Sequence, residues 1–307
     1  MSRLRIVHHE DYNAPLPDGH RFPMGKFAAL AALLRAEGFA PNGFDAPEPA
    51  DRTMLIGAHD AAYVDAVLTR QADRSIERRI GLPLTDGVVR RARAVPAGTL
   101  LAAQIALEDG VGCNTAGGSH HAFRETGAGF CVFNDVAVAA TNLFTQGRIR
   151  RAVVIDCDVH QGDGTAAIFA GDARVFTLSI HCEQNFPARK QTSDLDIGLP
   201  RGAQGDMYLA ALEQAMAEAF DAARPDLVFY NAGVDVHADD ALGYLRLTDA
   251  DIAARDSLVI GEAHRRGAPV CVVLGGGYGP DPLVIAQRHA SAFRAAAAVL
   301  DSGSHSA

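Results

Sequence analysis

The sequence predicts an α/β protein: a single-domain, three-layer αβα architecture with a central, mostly parallel sheet. Two observations lead to this prediction. Short apolar runs rich in β-branched residues recur along the chain, and they are continuous rather than alternating. Such runs are typical of strands covered on both faces. Helical patterns lie between them, and strand–helix alternation over the whole length is typical of a parallel sheet flanked by helices.

The predicted strands are all short and mostly apolar. In chain order they are LRIVHH, VGCNTAG, RAVVIDCD, RVFTLSIH, LVFYNAG and PVCVVLGGG. The predicted helices begin at Pro, Asn, Asp or Thr, and several end near Gly, which are common start and stop residues. They cover 23–37, 96–108, 134–146, 206–223, 248–266 and 281–300.

Composition places the chain among ordinary globular proteins. It has 307 residues, of which 48% are hydrophobic and 21% charged, close to the average for soluble domains. No linker, repeat or low-complexity stretch interrupts it. We therefore expect one catalytic domain over 1–300 and a flexible tail, DSGSHSA, over 301–307.

Charge and cysteine usage exclude several classes of partner. The net charge of −9 argues against a broad nucleic-acid-binding face, which needs clustered Lys and Arg. No apolar run approaches the ~18 residues of a membrane span, and the N-terminus lacks the apolar region of a signal peptide. The five cysteines are scattered without C-x-x-C spacing, so we expect buried thiols in a reducing compartment, the cytoplasm.

Polar residues collect where predicted strands end. GGSHHAF, DCDVHQGDG, AGVDVHADDALG and LGGGYG each follow one of the strands. Because the carboxyl ends of parallel strands meet at one edge of a sheet, these four loops should converge. The sequence therefore predicts an active site at that edge.

Three of these polar residues could ligate one metal ion. Asp158 and His160 leave one strand at i, i+2 spacing, and Asp235 leaves another. Two oxygens and one nitrogen leave a position open for water, as a catalytic site requires. Zn²⁺ is the first expectation, and Fe²⁺ or Mn²⁺ also suit this ligand set.

The His120–His121 pair should supply the acid–base chemistry. It follows a predicted strand and two glycines. Asp156 and Asp163 remain in the metal motif, and each could accept a hydrogen bond from one imidazole and orient it. An imidazole oriented in this way can act as a general base towards water.

Together with GAGFCVFND, these motifs resemble the histone deacetylase superfamily, which has the arginase/deacetylase fold. The motifs span 117–279 in family order. The stretches DYNAPLPDGHRFPMGKF and NFPARKQTSDLDIGLP look most like class IV and bacterial histone-deacetylase-like amidohydrolases.

The resemblance implies a role for each site residue. Asp158, His160 and Asp235 would be the metal ligands. His121 would be general base and acid with Asp163 as its partner, and His120 the second imidazole with Asp156 behind it. Tyr278 would donate its hydroxyl to the substrate carbonyl and then to the oxyanion.

The resemblance also implies a substrate tunnel and a structural K⁺ site. The tunnel would be formed by Gly129, Phe130 and Phe186, with Leu242 at a position where the polyamine-selective branch has an acidic residue. The monovalent-cation site would comprise Asp156, Asp158, His160 (through its main chain), Ser179 and Ile180. His20 and Arg21 either line an inner channel behind the metal or belong to a surface loop.

The expected reaction is hydrolysis of an Nε-acyl-lysine in a protein or peptide. Alternatives are acetylpolyamines, which the apolar Leu242 disfavours, other small acetylated metabolites, and long fatty-acyl chains on lysine. Three other classes compete: a two-Mn²⁺ arginase-like hydrolase, an acyl-lysine-binding module without activity, and a structural metal protein, which would need four protein ligands. The oligomeric state is not predicted.

Overall fold

The computed structural model describes residues 4–303, and its centre is a single seven-stranded sheet. The strands are β1 (Ile6–Val7), β2 (Val111–Asn114), β3 (Ala152–Asp156), β4 (Val175–Cys182), β5 (Leu195–Leu199), β6 (Leu227–Asn231) and β7 (Val270–Val273). They are arranged in the order β1-β2-β7-β6-β3-β4-β5, and every described pair is parallel. With helices on both sides of the sheet, the predicted fold class is confirmed.

Ten α-helices surround the sheet in the described part of the chain. They are α1 (Lys26–Ala36), α2 (Arg52–Ile56), α3 (Ala61–Leu68), α4 (Arg74–Ile80), α5 (Asp86–Asp109), α6 (Asp135–Thr145), α7 (Asp163–Phe169), α8 (Gly205–Ala223), α9 (Asp249–Arg265) and α10 (Pro282–Gly303). Side-chain caps fix several starts. Asn134 accepts a hydrogen bond from the Ala137 amide at α6, and Thr248 with Asp251 forms a capping box at α9.

All six predicted strands are present, and the differences from prediction lie in the rest of the chain. The edge strand β5 was not predicted, because LDIGL is short and only its last residue is buried. Helices α2, α3, α4 and α7 were also not predicted. The predicted start of a helix at Pro96 is wrong: α5 begins at Asp86, capped by the Thr85 side chain, and Pro96 lies inside it.

The last helix extends past the predicted end of the domain. Helix α10 continues through Gly303, so 301–303 are helical although 301–307 was predicted to be a tail. Residues 304–307 lie outside the described residues. All five cysteines are free and buried, as predicted. Among the described residues, no helix combines the length and apolarity needed to cross a membrane.

Close packing of α5 on β2 depends on a glycine. A Cβ atom at Gly112 would overlap the carbonyl oxygen of Ala102 on the helix. We expect Gly112→Ala to lower the free energy of unfolding by about 2–3 kcal/mol, since backbone must shift. Gly261→Ala is the matched control, because Gly261 lies within α9 with open space around it; it should stabilise by up to about 1 kcal/mol. Urea denaturation measures both, and equal effects would contradict this account.

His59 connects two loops that lead to the site. Its Nδ1 donates to the Phe123 carbonyl at 2.9 Å, and its Nε2 accepts from the Asn134 amide at 2.9 Å. This pattern requires the neutral ring. Burial lowers the pKa of His59 to about 4, from 6.5 for an exposed histidine.

The lowered pKa predicts a loss of stability in acid. Below pH 6.5 the unfolded chain binds a proton at His59 that the folded chain does not. Stability should therefore fall as the pH drops from 6.5 towards 4, by about 1.4 kcal/mol per pH unit from this group. Urea titrations at several pH values would measure the slope. His59→Gln should be less stable at pH 7 and have a shallower slope, and an unchanged slope would contradict the assignment.

Candidate active site

The four polar loops meet at the carboxyl edge of the sheet, as predicted. They follow β2, β7, β6 and β3, which are four consecutive strands of the sheet. The register places Asp156, the last residue of β3, beside Asn231, the last residue of β6. The sheet topology therefore brings together loops that are far apart in sequence.

Asp158, His160 and Asp235 form a buried cluster with metal-binding geometry. One ligand atom from each lies within 4.8 Å of the others. The Nδ1 atom of His160 is 2.9 Å from Asp158 Oδ1 and 3.1 Å from Asp235 Oδ2. The candidate ligands identified from the sequence therefore converge.

The electrostatics of the cluster fit a bound cation. Burial and the neighbouring charge of Asp158 raise the pKa of Asp235 to about 7. Burial opposes a charge on His160, yet its bonds to both carboxylates outweigh burial and raise its pKa to about 10. A divalent ion would relieve the repulsion between the two carboxylates, and two carboxylate oxygens with one imidazole nitrogen suit Zn²⁺, Fe²⁺ or Mn²⁺.

Glycines allow the backbone to approach the carboxylates. A Cβ atom at Gly276 would overlap Asp235 Oδ2, and one at Gly233 would come within 2.6 Å of the Asp158 Cα. The Gly276 amide donates to Asp158 Oδ2 at 2.5 Å. Gly276 of LGGGYG therefore contacts both carboxylates directly.

His120 and His121 each bind the aspartate that the sequence assigned to them. His120 Nδ1 is 2.7 Å from Asp156 Oδ2, and His121 Nδ1 is 2.6 Å from Asp163 Oδ1. The two rings lie with centroids 4.1 Å apart, and His121 is 5.8 Å from the His160 ring. Both imidazoles are thereby oriented beside the metal cluster.

The two histidines differ in charge. Burial opposes protonation of both rings. At His120 the charges of Asp156 and Asp158 outweigh burial and raise the pKa to about 9. At His121 burial and the charge of His120 outweigh Asp163, and the pKa falls to about 4. Without a bound cation, these shifts favour a protonated His120 and a neutral His121 that can accept a proton.

Asp135 holds the loop that carries the histidine pair. Its carboxylate accepts hydrogen bonds from the Ser119 amide at 2.7 Å, the Gly118 amide at 3.2 Å and the Thr99 hydroxyl at 2.6 Å. Sequence reasoning gave this residue no role. Its place in GAGFCVFND, directly after the N-cap of α6, was the available signal.

A cavity of about 660 Å³ leads from the surface to this cluster. Tyr278 lies on its wall with its ring 6.3 Å from that of His160. The four predicted tunnel residues also line it: Gly129, Phe130, Phe186 and Leu242. The Phe186 ring stands nearly perpendicular to His121 at 4.8 Å.

Phe130 adopts an uncommon backbone conformation on this wall. Its φ of 68° lies in the left-handed region, which costs free energy for a bulky residue. Hydrogen bonds hold it there, since the amides of Gly129 and Phe130 donate to the carbonyls of Arg79 at 3.1 Å and Ile80 at 2.6 Å. The end of α4 therefore fixes one side of the tunnel.

A second, much smaller cavity of about 30 Å³ lies behind the cluster. Lys26 lines it, is buried, and donates to the carbonyls of Gly275 at 3.2 Å and Gly277 at 3.4 Å. His20 and Arg21 do not line this inner space among the described residues. They lie instead on the wall of the large outer cavity.

The residues assigned to a monovalent cation lie below the metal loop. Asp156 on β3 is in register with Ser179 on β4. Ile180, the next residue along β4, is fully buried. The Asp156 carboxylate accepts from the Asp158 amide at 3.1 Å, and the Ser179 hydroxyl is 3.0 Å from His181 Nδ1. The K⁺ site stays a prediction.

Buried Arg255 on α9 was missed by sequence reasoning. Its guanidinium donates to the carbonyl of Gly233 and, at 3.3 Å, to that of Cys157. These carbonyls belong to the loops that carry Asp235 and Asp158. Asp256 balances the charge, with Oδ1 2.8 Å from Arg255 Nη2. Nothing in the helical pattern distinguished this arginine from a surface residue.

Comparison with known proteins agrees with this geometry. Residues 20–295 match the Histone deacetylase domain. The chain belongs to the histone deacetylase family. It is therefore a hydrolase of that family, which is normally metal-dependent.

Relatives of this histone deacetylase family member align over most of its length. It is 46% identical to an uncharacterized protein of Picosynechococcus sp., over 95% of this chain and 97% of that one. It is 28% identical to histone deacetylase 2 of Arabidopsis thaliana, over 91% and 75%, and 28% identical to a probable deacetylase of Methanothermobacter thermautotrophicus, over 91% and 86%. The crystal structure of the HDA15 HD domain superposes with a TM-score of 0.81 at 22% identity, covering 97% of this chain and 88% of that one, and shares its fold.

In this histone deacetylase family member, removing Arg255 should loosen the cluster of candidate metal ligands. Arg255→Met leaves Asp256 as an unpaired buried charge, so we expect a loss of about 3–5 kcal/mol in unfolding free energy and weaker Zn²⁺ binding. Urea denaturation and competition with a chromophoric chelator measure these effects. Arg266→Met is the control, because Arg266 ends the same helix and pairs at the surface with Asp221; its cost should be about 1 kcal/mol or less. Equal costs for the two variants would contradict a stabilising role of Arg255 between the two loops.

Proposed function

We propose that this protein is a metal-dependent amidohydrolase that removes a short acyl group from Nε-acyl-lysine in a protein or peptide. One observation carries the proposal. The cluster of Asp158, His160 and Asp235 lies beside the His121–Asp163 pair, at the inner end of a cavity with aromatic walls. This is the geometry that attack of an activated water on a buried amide requires.

Asp158, His160 and Asp235 would hold the metal ion. When bound, a divalent ion, Zn²⁺ by first expectation, polarises the substrate carbonyl and acidifies a water molecule. The three ligands leave coordination positions for both, unlike a closed structural site. The predicted K⁺ would stabilise the loop beneath them.

His121 would accept the proton of the attacking water. Its lowered pKa keeps the ring neutral at physiological pH, and the hydrogen bond to Asp163 directs Nε2 towards the cavity. Cationic His120 would stabilise negative charge beside it. When the tetrahedral intermediate breaks down, the carbon–nitrogen bond is cleaved and the proton on His121 passes to the leaving amine.

Tyr278 would stabilise the oxyanion. Burial and the charges of Asp158 and Asp235 raise its pKa well above the usual value, so the phenol keeps its proton. The Tyr278 amide donates to Asp240 at 2.7 Å, which fixes the loop. A neutral hydroxyl donor in a buried site strengthens as charge develops on the substrate oxygen.

The inner cavity favours a short acyl group. Its volume is about 30 Å³, against about 660 Å³ for the outer cavity. Lys26 and the Gly275 carbonyl close it, so a long fatty chain has no room behind the cluster without rearrangement. This supports acetyl over the long-chain alternative.

An acyl-lysine peptide series from acetyl to myristoyl tests the proposed reaction. We expect metal-loaded protein to release acetate fastest and a chelator to abolish release. Tyr278→Phe and His121→Ala should each lower kcat by about 10²–10⁴ with little change in KM, since both act chiefly in the transition state.

His264→Ala is the control for the histidine substitution. His264 is exposed near the end of α9, away from the cavity, and its loss should leave kcat unchanged. Thermal unfolding of each variant shows whether the fold is intact. Hydrolysis that persists in folded His121→Ala, or with chelator present, would refute the mechanism.

A further inference from the structure

The outer cavity has the opposite charge to the protein as a whole. The chain has a net charge of −9, yet the described residues that line the cavity include Arg21, Arg79 and His20 and no aspartate or glutamate. Both arginines are exposed. The entrance therefore has a local positive charge although the surface is acidic overall.

The backbone segments that carry the two arginines are joined to the tunnel wall and to each other. The Arg79 carbonyl accepts the Gly129 amide at 3.1 Å, next to Phe130. The neighbouring loop is joined to it through His20, whose Nε2 donates to the Gly81 carbonyl at 3.0 Å. The backbone around both arginines thus places them at the mouth of the tunnel.

Neither arginine is neutralised by an ion pair with residues 4–303. Some arginines elsewhere are paired, such as Arg52 with Asp65 at 2.6 Å and Arg294 with Glu37 at 2.6 Å. Unpaired guanidinium groups beside a binding cavity are available to a carboxylate, which they match with two parallel hydrogen bonds.

We propose that Arg21 and Arg79 select substrates with a carboxylate on the part that stays outside the tunnel. This rests on the proposed function, in which the acylated nitrogen enters the tunnel. Acylation removes the charge of that nitrogen, so the inserted part is neutral. The carboxylate can be an acidic side chain flanking the acyl-lysine in a peptide, or the α-carboxylate of a free acylated amino acid.

The exposed aromatics at the same mouth support contact with the outer part of a substrate. Phe186 is 48% exposed and Tyr244 is 38% exposed. The guanidinium of Arg201 lies 4.0 Å from the Tyr244 ring centroid, so a further cation stands behind this wall. A polyamine would bring its remaining ammonium groups against these cations, and it is disfavoured for a reason independent of Leu242.

The test compares matched substrates that differ only in charge. Acetyl-lysine peptides would carry Glu, Gln or Lys on both sides of the modified residue, and free Nε-acetyl-lysine would be compared with its C-terminal amide. We expect kcat/KM to be about three- to ten-fold higher for Glu than for Gln flanks, chiefly through KM, and lowest for Lys flanks. Because exposed charges are screened, the preference should shrink between 20 mM and 500 mM salt.

Variants assign the preference to these two residues. Arg79→Gln and Arg21→Gln should each reduce it, and Arg79→Glu should favour Lys flanks. Arg78→Gln is the control, since Arg78 is exposed on the same helix but does not line the cavity; it should keep the preference. If the Glu- and Gln-flanked peptides differ in kcat/KM, the recognised carboxylate is a flanking side chain. If free Nε-acetyl-lysine and its C-terminal amide differ, it is the α-carboxylate.

Binding distinguishes failure of this inference from failure of the proposed reaction. Fluorescence anisotropy would give the affinity of metal-loaded Tyr278→Phe for the same peptides, whether or not the native chain cleaves them. If Glu-flanked peptides bind more tightly and Arg79→Gln removes this preference, the role of the two arginines is supported even if no hydrolysis occurs. Equal kcat/KM and equal affinity for Glu, Gln and Lys flanks would overturn the inference about the arginines. The proposed hydrolase reaction would be unaffected by that result.

Discussion

The burial of aspartates at one edge of the sheet is the constraint on which the site depends. Asp156, Asp158, Asp163 and Asp235 are all at most 5% exposed, and a buried carboxylate is costly unless donors or cations surround it. Each accordingly contacts an imidazole. The histidines therefore stabilise the buried carboxylates of the folded structure, in addition to the catalytic role proposed for them.

The same constraint determines the backbone around the site. Carboxylates also accept hydrogen bonds from main-chain amides, such as that of Val159 to Asp235 at 2.9 Å. Such approaches leave no space for Cβ atoms, and Gly276 meets this requirement. Arg255 also stabilises this backbone, because its guanidinium donates hydrogen bonds to carbonyls of the loops that carry Asp158 and Asp235. A buried cationic residue thus supports the loops that carry the candidate metal ligands.

Charge changes sign from the interior of the site to its mouth. The inner end presents carboxylates for a cation, and the outer wall presents Arg21 and Arg79. Short apolar and aromatic walls separate the two regions, so their fields act on different parts of a ligand. An amide that is neutral within the tunnel and anionic outside it complements both regions.

The sequence alone determined the parallel α/β fold, the four polar strand ends and the pairing of His120 and His121 with two aspartates. The fold and the polar strand ends follow from local patterns, namely continuous apolar runs and glycine-bounded loops. The assignment of each histidine to its aspartate came from the family resemblance of the motifs. Only the tertiary structure decided the opposite protonation of the two histidines, the roles of Asp135 and Arg255, and the place of Arg21 and Arg79 at the mouth. Burial and neighbouring charges from distant segments set these properties, and no local stretch of sequence encodes which segments become neighbours.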